Sequence, residues 1–165
     1  MSPGTLVIGL GNLVHSDDGV GVHAVHRLQT DPRVPPEVSL IDGGTQGLSL
    51  IPHISGFARL LVIDAVDVGE QPGTVIRMDG KALDGLRGKP TVHQLGFADL
   101  MIALKLLGDA PEEVILIGVQ PLSTEWSASL TPAVEASLDT VTDLVVAQLE
   151  AWSESPGATL VHPGR

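Results

Sequence analysis

Residues 5–28 read TLVIGLGNLVHSDDGVGVHAVHRL, in which an apolar run, a glycine-containing turn and an amphipathic segment follow one another. The run Thr5–Leu10 is short, β-branched and closed by glycine, which predicts a buried strand. Ser16 or Asp17 is available as the N-cap of a helix that follows. The apolar residues of that helix recur at helical spacing, and they are Val20, Ala24, Val25 and Leu28. This stretch therefore predicts the strand–turn–helix unit from which α/β folds are built.

The same alternation continues along the chain. Further strands are predicted at 38–41, 59–63, 74–78 and 113–119, and the third of these four as antiparallel because its connection is short. Further helices are predicted at 47–54, from His93 onward and from Thr131-Pro132 onward. We therefore predict one three-layer αβα domain over residues 1–151, with a mostly parallel, twisted sheet of about five strands. The Ser-, Pro- and Gly-rich residues 152–165 are predicted to form a mobile tail.

Composition excludes several classes of protein. With 165 residues and 43% hydrophobic residues, the chain suits one globular core. Its net charge of −11 disfavours binding to nucleic acids and to anionic membranes. The absence of cysteine excludes disulfides, thiolate metal sites and a cysteine nucleophile. The N-terminus shows neither a basic signal region nor a membrane span, so we expect a cytoplasmic protein without membrane insertion.

Three potential metal ligands stand where predicted elements begin or end. Asp18 starts the first predicted helix, Asp64 follows the apolar run 60–63, and His93 opens a helical pattern. Ligands of α/β proteins bind at strand ends, and two carboxylates with one imidazole can hold a divalent transition metal. Each residue also has a structural explanation, because Asp17, Asp18 and Asp64 suit helix caps and His93 suits a capping or packing role. Both explanations remain open at this point.

A partial glycine pattern permits a different interpretation. Gly9 and Gly11 follow a strand, as in a dinucleotide-binding fingerprint, but Val14 stands where the third glycine is expected. Asp42, an acidic residue after the second predicted strand, keeps this alternative open. A small-molecule or nucleotide-binding module without peptidase activity is therefore the alternative function.

The run Asp42-Gly43-Gly44-Thr45 is a candidate part of a substrate cleft. Glycine lets another chain approach the backbone closely, although a plain turn would use the same residues. The patterns Gly-x-Ser-x-Gly and His-Glu-x-x-His are absent from the sequence. Their absence disfavours a serine hydrolase of the nucleophile-elbow type and a zinc peptidase of the zincin type.

Six segments together resemble one family, the hydrogenase maturation endopeptidases. The segments are Gly-Leu-Gly-Asn (9–12) with Asp-Asp-Gly-Val-Gly (17–21), Asp-Gly-Gly-Thr-Gln-Gly (42–47), Asp-Ala-Val-Asp (64–67), Pro-Gly-Thr (72–74), His-Gln-Leu-Gly-Phe-Ala-Asp (93–99) and Ile-Gly-Val-Gln-Pro (117–121). They occur in the family's order, and the resemblance covers residues 5–149. The second and the last segment are most similar to the branch that serves uptake nickel–iron hydrogenases.

The resemblance implies an activity and a substrate. Members of the family remove a short C-terminal extension from the large-subunit precursor of a nickel–iron hydrogenase after nickel has been inserted. They are thought to contact that nickel with three residues, which fall on Asp18, Asp64 and His93 of this chain. These residues are therefore the expected catalytic and metal-binding set. Nickel is expected to arrive with the precursor, so the resting enzyme is expected to be free of metal and to need no other cofactor.

The chain departs from the family at one of these positions. Many relatives carry Glu where this chain has Asp18, which is one methylene shorter. Either the loop lies closer to the metal here, or Asp17 shares the role, so Asp17 is kept as a candidate cleft residue. The metal either lowers the pKa of a water and polarises the scissile carbonyl, or serves for recognition alone. The ligand set is compatible with both.

Overall fold

In the computed structural model, which describes residues 4–80 and 94–154, the aliphatic runs form one twisted sheet. The strands of this sheet are Thr5–Leu10 (β1), Ser39–Gly44 (β2), Arg59–Ala65 (β3), Val75–Asp79 (β4) and Glu113–Val119 (β5). Their spatial order is β2-β1-β3-β5-β4, in which β4 is antiparallel to β5 and all other neighbours are parallel. The predicted five-stranded, mostly parallel sheet and its antiparallel fourth strand are confirmed.

Helices cover both faces of the sheet. They are Val20–Leu28 (α1), Ile51–Ile54 (α2), Gln94–Leu106 (α3) and Pro132–Glu154 (α4). Two short 3-10 helices, Ser16–Gly19 and Gly47–Leu50, lead into α1 and α2. In the described part of the chain, no helix combines the length and the apolar character that crossing a membrane requires.

Successive side chains of a strand enter two separate hydrophobic cores. Val7 of β1 lies in the core formed with α1 and α4, whereas Leu6 and Ile8 lie in the core formed with α2 and α3. All seven residues of β3 are buried, as expected for a central strand that is covered on both faces. The predicted three-layer αβα architecture is therefore confirmed.

Two predicted boundaries differ from the structure. Strand β2 continues through Asp42 to Gly44 because β1 pairs with it there, although the Asp-Gly-Gly run was predicted to end it at residue 41. Helix α4 continues to Glu154, and Trp152 is buried in the core beneath it. The predicted end of the domain at residue 151 is therefore three residues short. Residues 155–165, the remainder of the predicted tail, lie outside the described residues.

A buried arginine at the start of β3 fixes the end of α4 on the sheet. The Arg59 Nη1 donates a hydrogen bond of 2.7 Å to the Trp152 carbonyl oxygen, which belongs to the last turn of α4. The guanidinium carbon lies 5.8 Å from the centroid of the Trp152 ring, and Nε lies 3.5 Å from Oε1 of Glu113. A cation at a helix C-terminus is stabilising, and here it is also shielded from solvent.

We expect Arg59→Met to lower the free energy of unfolding by about 3 kcal/mol, because a buried helix-end carbonyl and Glu113 lose their cationic partner. Denaturant titration measures this loss. The control is Arg77→Met, which removes an exposed arginine that also contacts α4, through Gln148. We expect the control to cost under about 1 kcal/mol. Equal losses in the two variants would contradict the special role of Arg59.

Candidate functional site

The strand order places a topological switch point between β1 and β3. The chain leaves β1 for β2 on one side and then crosses to β3 on the other side of β1. The connections diverge at the carboxyl ends of these two strands, which is where open α/β sheets bind ligands. Asp18 lies in the connection after β1, and Asp64 is the next-to-last residue of β3. Both predicted carboxylates are therefore at the switch point.

The start of α1 packs directly against the carboxyl ends of β1 and β3. A Cβ atom on Gly21 would lie 2.1 Å from the Ile63 carbonyl oxygen and 2.5 Å from the Leu10 carbonyl oxygen, so only glycine fits. This close approach holds the 3-10 helix that carries Asp18 near the end of β3. The two carboxyl groups are near enough for the charge of Asp18 to raise the pKa of Asp64.

Asp64 is a buried carboxyl group in an apolar strand, with 5% of its surface exposed. Burial raises its pKa to about 8; the hydrogen bond from the Ala65 amide opposes this shift, and the charge of Asp18 adds to it. At neutral pH, Asp64 is therefore mainly protonated in the absence of a cation. Buried, strongly perturbed acids concentrate at functional sites.

Asp18 is buried as well and is held by its own loop. The Asn12 amide donates a hydrogen bond of 3.0 Å to Asp18 Oδ2. Gly11 has a φ of +132°, and a Cβ atom there would lie 1.9 Å from the Asp18 carbonyl oxygen. The loop thus folds back on itself, and this fold fixes Asp18 at the crevice.

Asp17 has a different function from its neighbour. Its carboxylate accepts hydrogen bonds from the amides of Leu122, Ser123 and Thr131 and from the Thr131 hydroxyl, at 2.7 to 3.1 Å. Burial alone would raise the pKa of Asp17, but the hydrogen bonds from the Thr131 side chain and from the three amides hold it below its ordinary value. Asp17 therefore fastens the loop between β5 and α4 to the loop that carries Asp18.

The proposed capping role of Asp17 or Ser16 is wrong. Neither the 3-10 helix nor α1 has a side-chain hydrogen bond at its N-cap. The Ser16 hydroxyl instead donates to the Ser129 carbonyl oxygen at 3.0 Å. Both side chains are used for contacts between loops, which are distant in sequence, and local spacing therefore could not identify them.

The run 42–45 lies beside the loop that carries Asp18, on the β2 side. The Gly11 amide donates to the Gly44 carbonyl oxygen at 2.9 Å, and Gly43 is buried. Asp42 Oδ2 lies 3.1 Å from His26 Nε2 of α1, and its Oδ1 accepts from the Gly44 amide. Asp42 and Thr45 are exposed, whereas Asp18 and Asp64 are buried.

His93, the third predicted ligand, lies outside the described residues. The next residue along the chain, Gln94, begins α3. Helix α3 ends six residues before β5 begins, so it returns the chain to the amino edge, and its first turn faces the carboxyl edge. Within 4–80 and 94–154, no three metal-ligating side chains are grouped closely enough to hold an ion.

Two polar residues at the site were not predicted as site residues: Gln120 had no individual role, and Thr131 was predicted only as the N-cap of the last helix. Gln120 is buried and accepts hydrogen bonds from the Val68 and Glu70 amides through Oε1, while its Nε2 donates to Asp67. It thereby orders the loop after β3. Thr131 donates two hydrogen bonds to the Asp17 carboxylate, one from its amide and one from its hydroxyl. The only signal for Gln120 was its place in the Ile-Gly-Val-Gln-Pro segment, because Val68, Glu70 and Asp67, which it contacts in the loop after β3, are 50 or more residues away.

Gly9 in β1 and Gly11 directly after β1 serve internal packing. A Cβ atom on Gly9 would lie 2.2 Å from the Gly21 carbonyl oxygen, and one on Gly11 would meet the Asp18 backbone. Close packing within the chain therefore explains both glycines without a bound phosphate. This geometry does not favour the nucleotide-binding alternative.

Comparison with known proteins identifies relatives along almost the whole chain. A family model described as hydrogenase maturation protease matches residues 22–148. The chain is 39% identical over 160 residues to the hydrogenase expression/formation protein HupD of Rhodobacter capsulatus, covering 94% of this chain and 76% of that protein. It is 36% identical over 160 residues to the hydrogenase 2 maturation protease of Escherichia coli K12, covering 95% of this chain and 98% of that protein.

Solved structures agree with the sequence matches. The hydrogenase maturating endopeptidase HybD of Escherichia coli superposes with a TM-score of 0.83 at 34% identity, covering 90% of this chain and 93% of that one. The hydrogenase 2 maturation peptidase of Thaumarchaeota archaeon SCGC_AB-539-E09 superposes with a TM-score of 0.69 at 31% identity, covering 88% of this chain and 97% of that one. The fold is therefore shared with hydrogenase maturation peptidases.

Proposed function

The chain belongs to the hydrogenase maturation protease family, and from that premise we propose that it removes the C-terminal extension of a nickel–iron hydrogenase large-subunit precursor after nickel insertion. The precursor's nickel is bound as substrate, by Asp18, Asp64 and His93. The observation that carries this proposal is the meeting of two buried carboxyl groups, Asp18 and Asp64, at the switch point.

The carboxyl groups of Asp18 and Asp64 suit the binding of a divalent cation. Two carboxyl groups in an apolar crevice repel each other when both are charged, and a cation between them removes that repulsion. Carboxylate and imidazole ligands suit nickel, and a three-ligand site leaves positions for groups of the precursor. Such a site recognises the loaded precursor by the metal that it carries, so an empty precursor lacks the main determinant of binding.

The protein's own groups then position the peptide bond that is cut. Hydrolysis adds water across this bond and yields a new carboxylate and a free amine. Asn12 and Gln120 hold the loops on either side of the carboxyl pair in place. A divalent metal in such a site polarises a carbonyl oxygen and lowers the pKa of water.

Asp18→Glu and Asp18→Asn separate a ligand from a structural carboxyl group. We expect Asp18→Glu to retain at least about one tenth of the processing rate, because the charge is kept and the reach grows by one methylene, whereas Asp18→Asn loses about 100-fold through loss of charge. Precursor cleavage followed by mass spectrometry measures both rates. An active Asn variant beside an inactive Glu variant would show that Asp18 only accepts the Asn12 hydrogen bond.

The experiment that tests the function compares nickel-loaded with nickel-free precursor at one ionic strength. We expect cleavage of the loaded form alone, and mass analysis of the precursor C-terminus detects it. His93→Ala should abolish cleavage and leave the thermal unfolding temperature within about 3 °C, because truncating one polar side chain costs little stability when it is not in the core.

The control is His53→Ala, which removes an exposed histidine of α2 and should cleave normally. Equal cleavage of loaded and empty precursor would refute nickel recognition while leaving the protease assignment intact. Normal cleavage by a folded His93→Ala variant would remove His93 from the ligand set.

A further inference from the structure

Four large apolar side chains are exposed on the two loops that border the carboxyl pair. Leu13 and Val14 belong to the connection after β1, and Leu122 and Trp126 belong to the loop after β5. Their exposed fractions are 37%, 46%, 63% and 78% in that order. We call these four residues the apolar rim. An exposed apolar cluster of this kind marks an interaction surface, and tryptophan is the residue most enriched at binding hot spots.

The two loops of the apolar rim are joined before any partner arrives. The Ser16 amide donates to the Ser127 carbonyl oxygen at 2.8 Å, and the Ser127 amide donates to the Val14 carbonyl oxygen at 3.0 Å. Asp17 adds the bonds to Leu122 and Thr131 described above. A surface fixed in this way loses little conformational entropy when it binds.

The indole of Trp126 is itself held in place. The His15 ring lies against it, with 4.3 Å between the ring centroids. His15 Nδ1 in turn donates to the Thr124 carbonyl oxygen at 3.1 Å. The largest apolar group of the rim therefore presents one face to His15 and keeps most of its surface in solvent.

We propose that the apolar rim binds an apolar segment of the folded large-subunit precursor, next to the C-terminal extension. This inference rests on the proposed function. The argument is continuity: Leu13, Val14 and Asp18 share one connection, and Leu122 is hydrogen-bonded to the neighbour of Asp18. A protein whose extension reaches the carboxyl pair must also cover these loops. The rim then contributes affinity for the precursor, and the carboxyl pair contributes metal recognition.

An exposed apolar residue outside the rim provides a matched control. Leu106 is the last residue of α3 and is 84% exposed, at the amino edge of the sheet and thus away from the rim. Truncating Leu106 removes more exposed apolar surface than truncating Leu122, because their exposed fractions are 84% and 63%. If the rim is a specific docking surface, truncating Leu122 weakens binding of the precursor and truncating Leu106 does not.

The test uses the nickel-loaded precursor as the probe. For Trp126→Ser and Leu122→Ser, we expect KM to rise about tenfold while kcat stays within about threefold, because contacts made outside the reacting groups act on binding. Thermal unfolding should stay within about 3 °C of wild type, since both side chains are exposed. Leu106→Ser should match wild type in all three measurements.

The outcomes separate this proposal from the function on which it rests. If wild type cleaves loaded precursor and Trp126→Ser has an unchanged KM, the rim proposal is overturned and the function stands. If wild type cleaves neither form of the precursor, both are overturned. Sedimentation of the protein alone tests the other occupant, a second copy of this chain. A dimer that Trp126→Ser abolishes would overturn the proposal in favour of self-association.

Discussion

Asp64→Asn is expected to abolish processing and, at the same time, to make the protein more stable at neutral and alkaline pH. Burial raises the pKa of Asp64 to about 8, from an ordinary value of 3.8, so the folded state favours the protonated carboxyl. Its contribution to the free energy of unfolding is therefore complete below pH 3.8 and is lost as pH rises toward 8. Asparagine has the same shape and stays neutral, so it escapes this loss.

The size of the stability gain in Asp64→Asn follows from the difference between the ordinary pKa of Asp64, 3.8, and its raised pKa of about 8. Each pH unit between the two pKa values changes the stability difference by up to about 1.4 kcal/mol, which gives an upper limit of about 6 kcal/mol at pH 8. We expect several kcal/mol in denaturant titrations of the metal-free protein, together with a loss of processing of about 100-fold or more. This combination, a gain in stability with a loss of activity, is expected when a residue required for function destabilises the fold.

The control for this prediction is Asp109→Asn. Asp109 is an exposed carboxylate in the loop between α3 and β5, at the other edge of the sheet. We expect Asp109→Asn to change neither the activity nor the stability at neutral pH measurably. If Asp64→Asn and wild type show the same dependence of stability on pH between 4 and 8, then Asp64 is ionised in the folded protein and the prediction is wrong.

Asp17→Ala is expected to cause the largest loss of stability of any substitution at the site. Three backbone amides and the Thr131 hydroxyl lose their acceptor in a region that excludes most solvent. We expect a cost of about 3–5 kcal/mol, or a fall of about 10 °C in the unfolding temperature. Asp17→Asn, which keeps one carbonyl oxygen, should lie between Asp17→Ala and wild type.

The pH dependence of this effect has the opposite sign to that of Asp64. Because the pKa of Asp17 is lowered from 3.8, its stabilisation is present above that pH and is lost as pH falls below it. Asp31→Ala is the comparison, since Asp31 also accepts several hydrogen bonds, but Asp31 is only half-buried and its partner Arg33 is exposed. Its removal should cost much less, because exposed ion pairs contribute little. Equal losses in the two variants would contradict the role of Asp17.

Local patterns predicted the elements well where the chain's own chemistry decides them. Strand 113–119 was predicted with the bounds that the structure shows, because an apolar run is bounded there by acidic residues and by Gln120-Pro121. The end of β2 was missed because Asp-Gly-Gly indicates a turn locally, while pairing with β1 continues the strand. The domain was predicted to end at residue 151, although Trp152 follows Leu149 at helical spacing and is buried.

At the candidate site, too, local patterns predicted some residues, and tertiary contacts determined the roles of others. Asp18 and Asp64 could be selected from sequence because each stands at an element end, and the strand order then brings them together. The role of Asp17 could not be predicted, because its partners are 105 to 114 residues further along the chain. Adjacent aspartates in one motif thus perform different work, and only the tertiary structure distinguishes them.

The sequence distance between Asp17 and its partners also determines when their hydrogen bonds can form during synthesis. The strand, the loop and the first helix of the chain can form early, but the donors to Asp17 are made only when the ribosome reaches residues 122 to 131. Closing a contact of that span is entropically late in folding as well. A nascent or truncated chain that ends before residue 122 therefore has both carboxyl groups of the site but none of the hydrogen bonds that Asp17 accepts, so the loop that carries Asp18 takes its final position only after residues 122 to 131 have been made.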